Sequence, residues 1–159
     1  MITRDVFQQD VGFYSRLMTF SGAGAVTGAL VVAYIGKHRH IGRLLLIFLV
    51  LFGTTMAVFS LSRTPWLSAV LLYVAGALLV MSFSLTTSLA QLLAPPELRG
   101  RVVSIYMVAF RGGSPLGGLA SGYLVTQVGS APAVLMVKGG LLTLIALFFL
   151  ARGHGLKDV

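Results

Sequence analysis

The sequence contains no cysteine and only four acidic residues among its 159. The first absence excludes disulfides, thiolate metal sites and cysteine nucleophiles. The second leaves every long apolar run without a carboxylate, because Asp5, Asp10, Glu97 and Asp158 all fall outside them. No proton-relay carboxylate and no paired acid and base can therefore be drawn inside those runs, and nothing points to an enzyme. Charge of both signs is scarce, at 10% of residues, against roughly 25% in soluble domains. Hydrophobic residues fill 57% of the chain. A water-soluble fold of that composition would expose apolar surface it could not cover, so the chain reads as an integral membrane protein in contact with a lipid bilayer.

The apolar residues are grouped. Five runs stand out, at about Val11–Ile35, Leu44–Leu61, Trp66–Leu93, Val102–Val128 and Ala131–Leu150. A helix needs about 20 apolar residues to cross roughly 30 Å of hydrocarbon, which each run approaches or exceeds. Transmembrane strands would alternate polar and apolar residues, and these runs do not. The expected fold is an all-α membrane domain over residues 1–159, with five transmembrane helices. The links between runs are short, which predicts that consecutive helices are antiparallel neighbours.

The net charge of +8 would suit nucleic acid if it formed one basic face with exposed stacking groups. Instead the basic residues punctuate the apolar runs, as cytoplasmic loops do. One side collects Lys37, Arg39, Arg43, Arg99, Arg101, Arg152 and Lys157; the other holds Arg4 and Arg63, with Arg16 just inside the first run. Positive residues stay inside, so the turn Pro95–Arg101 and the carboxy terminus are expected in the cytoplasm and the amino terminus outside. The first ten residues are polar, with Arg4, Asp5 and Asp10, and lack the apolar core of a signal peptide.

Arg111 is the sharpest candidate site. It follows Arg101 by ten positions, or about 15 Å of helix, which sets it near the bilayer centre. An arginine there costs from about 3 to over 10 kcal/mol depending on its surroundings. It should face a water-filled cavity, an acidic partner or a bound anion; the alternative is bonding to backbone carbonyls of neighbouring helices. Ser104, Arg111, Ser114, Gly118 and Ser121 recur at helical intervals on one face, and Pro115 removes a backbone donor within the same run. The third run carries a comparable stripe of Ser84, Ser88 and Gln91, suited to a polar path or to interhelical hydrogen bonds.

Small residues offer close-packing surfaces: Gly24 with Gly28, Gly113 with Gly117, and Gly118 with Gly122. Lys138 and Arg16 lie nearer the outer surface, where long side chains snorkel to the interface. His38 and His40 sit in a basic loop without the further ligands of a stable metal site, so no metal and no cofactor are expected.

The stretch from Pro95 through Glu97, Leu98, Arg99, Gly100 and Arg101 to Ser104, followed by Gly113-Ser114-Pro115-Leu116-Gly117, resembles the major facilitator superfamily. It is most similar to the branch containing the enterobactin exporter and related bacterial efflux proteins. Gly28 through Arg39 resembles a degenerate copy of that superfamily's glycine-and-basic loop motif, with Ala33 where an acidic residue would stand. The resemblance covers the whole chain. It implies the last five spans of a twelve-span transporter of the bacterial inner membrane, partnered by an amino-terminal bundle. It also implies that Arg111 lies on a helix at the bundle interface and that Glu97, Arg99 and Arg101 belong to a cytoplasmic latch. Orientation marking alone is the alternative role for that turn. Two functions stay open: export of a small amphipathic molecule, such as a siderophore or drug, by alternating access, or a non-transporting five-helix scaffold or partner subunit.

Overall fold

The computed structural model describes residues 11–35 and 41–152. Five helices follow one another: α1 (Val11–Ile35), α2 (Ile41–Leu61), α3 (Pro65–Leu93), α4 (Arg99–Val128) and α5 (Ala131–Arg152). In hydrocarbon every backbone N–H and C=O must find a partner within its own segment, and a continuous helix achieves this. The fold is an all-α membrane fold. Four of the helices are long and apolar enough to cross a bilayer. The fifth, α4, is the longest at 30 residues, but Arg111 and a run of glycines and serines dilute its apolar character.

The ends are set by local chemistry. Pro65 opens α3 at a position where the missing N–H costs nothing. The charged turn is tighter than its sequence suggests. Pro96–Leu98 form one 3-10 turn, and Arg99, Gly100 and Arg101 already belong to the first turn of α4. At its other end, Gly129 takes a left-handed φ of 71° and donates its N–H to the Val125 carbonyl at 2.9 Å. Glycine adopts that conformation without a Cβ penalty, which ends α4 sharply. The Ser130 hydroxyl then accepts from the Ala133 N–H at 3.4 Å and opens α5.

α3 is the central helix, touching α1, α2 and α4. Against α1 it packs backbone to backbone: a Cβ added at Gly24 would strike the Tyr73 carbonyl, and one at Gly28 the Ala77 carbonyl. Gly76 of α3 meets Ser21 in the same way. A hydrogen bond of 2.7 Å between Thr27 and the Tyr73 hydroxyl links the pair. α2 packs on α5 through Gly53 and Gly139, each against the other's backbone. Leu45 of α2 joins Leu85 and Leu89 of α3 in a buried cluster, flanked by Val32 of α1.

The expectation that consecutive helices are neighbours holds for α2 with α3, α3 with α4 and α4 with α5, and is corrected at α1, which does not pack on α2 to any extent. α1 packs chiefly on α3, two helices away, and α2 chiefly on α5. The matches Gly24 to Tyr73, Gly28 to Ala77 and Val32 to Leu85 advance together, so α1 and α3 run in the same direction. The reason is shape. Glycines on α1 and α3 let the two backbones touch, and dispersion contacts dominate helix association where lipid and side chain are equally apolar.

Candidate functional site

α4 sits apart from the others. It has no buried residue along its length. Its contact with α3 runs through three rings: Phe83 lies 4.7 Å from Phe110 and 5.8 Å from Tyr106, centroid to centroid. On the α5 side, the Lys138 ammonium donates to the Ser121 hydroxyl, which donates in turn to the Gly117 carbonyl. Lys138, half-buried, thus ties α5 to α4. Between the same two helices, Leu124, Val128, Ala133, Val134 and Val137 line an apolar cavity of about 140 Å³.

The rest of α4 is open. Ser104, Arg111, Ser114, Pro115 and Gly118 are all exposed. Ser104 bonds back to the Gly100 carbonyl at 2.8 Å, whereas Ser114 and Arg111 make no side-chain hydrogen bond among the described residues. A Cβ added at Gly113, Gly117, Gly118 or Gly122 would meet nothing within 4 Å, so no neighbouring helix uses them for close packing here. Pro115 is accommodated without a break, and α4 continues to Val128. Arg111 occupies the thirteenth of the helix's 30 positions, close to its middle.

The ring contact between Phe83 and Phe110 also fixes levels. Ser84 and Arg111 each follow one of those rings, so the polar stripes of α3 and α4 stand at the same height in the bundle. Ser84 is half-buried, and Ser88 and Gln91 are exposed. None of the three makes a side-chain hydrogen bond among the described residues, while Thr86 and Thr87 bond back to carbonyls of their own helix. The α3 stripe is therefore not spent on holding helices together.

At the charged turn, Glu97, Arg99 and Arg101 are all exposed. Arg99 donates Nε–H to the Ala94 carbonyl at 3.4 Å, which braces the turn. Glu97 makes no ion pair among the described residues. Arg43 is exposed in the first turn of α2, while Lys37 and Arg39 lie outside the described residues. Reading the sequence missed Gly53, Gly76 and Gly139. Gly53 with Ala57 and Gly139 with Thr143 carry the small-xxx-small spacing that could have found them, whereas Gly76 has no such pair.

Apolar helices tied by backbone contact, with one more polar and loosely packed helix beside them, define a multi-pass membrane protein. Residues 1–155 match the profile of the family described as transmembrane secretion effectors, and the chain belongs to that family, of the major facilitator type. No curated protein and no solved structure matches the chain.

Proposed function

We propose that this chain exports a small amphipathic molecule, of siderophore or drug type, across a bacterial inner membrane by alternating access. The observation carrying this reading is α4: a helix with no fully buried residue that presents Arg111 among serines and glycines. An exposed arginine facing lipid is costly, whereas one facing a water-filled path binds an anionic group. The affinity with the enterobactin-exporter branch belongs to the same proposal. In this arrangement a second, amino-terminal bundle of the transporter seats on the open side of α4, and Glu97, Arg99 and Arg101 pair with it when the inner side closes. The chain moves its solute without covalent chemistry. In the native membrane, deleting the gene is expected to raise cellular retention of its substrates when a panel of siderophores and amphipathic drugs is screened. Unchanged retention across the panel overturns the reading.

Orientation has a separate test, made simple by the absence of cysteine. With Ser130→Cys, a membrane-impermeant maleimide is expected to label intact cells. With Arg101→Cys, labelling is expected only after permeabilisation. The reverse pattern would place the charged turn outside.

A further inference from the structure

Pro115 lies within α4 and has no N–H to donate. The carbonyl of Arg111, four residues earlier, therefore lacks the donor that would close its helical turn. The guanidinium of the same residue has no acidic partner, because Glu97 is the only acidic side chain among the described residues and lies in the turn before α4. Position 111 thus offers a strong charged donor and an unfilled acceptor together. The two residues that follow are Gly112 and Gly113, with open space where a Cβ would stand, so on that side the carbonyl is flanked by no side chain, while the Pro115 ring lies against its other side. Ser114 adds a hydroxyl that makes no bond among the described residues. At membrane depth a backbone acceptor freed by proline is satisfied by a neighbouring helix, a Ser or Thr side chain, water or a ligand, and no side-chain donor reaches this one among the described residues.

We propose that Arg111, its own carbonyl and Ser114 bind a carboxylate that carries a hydroxyl donor about 5 Å away, one helical turn along α4. This rests on the transport reading above and narrows its solute class. The planar guanidinium holds the carboxylate through paired N–H donors. The carbonyl released by Pro115 accepts from the hydroxyl, and the Ser114 hydroxyl donates to the oxygen of that same hydroxyl. The apolar body of the solute lies against Phe110, which with Phe83 and Tyr106 forms the aromatic cluster at this level. A metal cation is a poor alternative occupant, because the guanidinium beside the carbonyl repels it.

The test uses the full chain in lipid nanodiscs and three matched radiolabelled probes. They are 4-hydroxy-3-phenylbutyrate, 3-phenylbutyrate without the hydroxyl, and 2-phenylbutane-1,4-diol without the carboxylate. The hydroxy acid is expected to bind roughly threefold to tenfold more tightly than the deoxy acid, the worth of one hydrogen bond. The diol is expected to bind at least about tenfold more weakly than the hydroxy acid, for loss of a charge-assisted pair. Pro115→Ala returns an N–H to the Arg111 carbonyl and favours the helix, and is expected to lower hydroxy-acid affinity to that of the deoxy acid. Arg111→Met is expected to abolish binding of both acids, with the helical circular dichroism retained. Equal affinities for the two acids, an undiminished hydroxy-acid advantage in Pro115→Ala, or no binding of either acid overturns the site. If neither acid binds while the gene still lowers retention of other amphipathic solutes, this site fails and the transporter reading stands. If that effect is absent too, both fail.

Discussion

Gly28→Leu is expected to pull α1 away from α3. At this position the neighbouring atoms are the Ala77 carbonyl and its adjoining backbone, not the movable end of a side chain. Overpacking in a core costs about 1–3 kcal/mol where side chains can yield. Here the helix axes themselves must separate, which also stretches the Thr27–Tyr73 hydrogen bond and draws Val32 off the Leu45–Leu85–Leu89 cluster. The expected loss is at least about 3 kcal/mol. It is read by denaturant unfolding of the purified chain in mild detergent, beside energy transfer between labels on α1 and α3. Gly24→Leu is expected to behave alike. Gly118→Leu is the control: nothing lies within 4 Å of it, so its effect in this chain is expected within about 0.5 kcal/mol. Equal stability for Gly28→Leu and Gly118→Leu would show that the α1–α3 contact does not hold the bundle.

Arg111→Ala separates folding from function in the opposite way. The side chain is exposed at the middle of α4 and makes no hydrogen bond among the described residues. Removing it loses no side-chain hydrogen bond among the described residues and removes a charge that costs about 3 kcal/mol or more at the bilayer centre. Insertion and expression are therefore expected to equal or exceed those of the parent. Transport is expected to fall by at least about tenfold, the worth of one charge-assisted interaction with an anionic solute. Arg111→Lys keeps the charge without the planar fork and is expected to fall between the two. Export at the parental rate by a well-expressed Arg111→Ala protein would remove Arg111 from the solute path.

The number and approximate limits of the helices were legible because a bilayer imposes one length on every spanning segment. The turn at Pro95–Leu98 was visible from its prolines and charge. The pairing of helices was not legible. Hydropathy distinguishes membrane from water, but it does not distinguish one apolar helix from another. The contacts that choose partners are glycines such as Gly53 and Gly139, and among the 19 glycines in the chain a spacing says which helices can pack closely but not on which neighbour. The site shows the same division. Arg111 announces itself as a charge in an apolar run, and the vacancy around it required the structure. The spacing that makes Gly113 and Gly117 resemble a packing motif is present, yet no helix of this chain lies against it.

The pairing of α1 with α3 also governs how the protein is made. Gly24 and Tyr73 are 49 residues apart (73 − 24), and a ribosome adding about 5–20 residues per second needs roughly 2–10 s to cover that interval. During this time α1 has been synthesised without the helix whose backbone it is shaped to touch. Its glycine-lined side is exposed to lipid or to the insertion machinery until α3 arrives. A lengthened pause in translation between α2 and α3 would prolong that exposure and give membrane proteases a longer interval in which to act on α1.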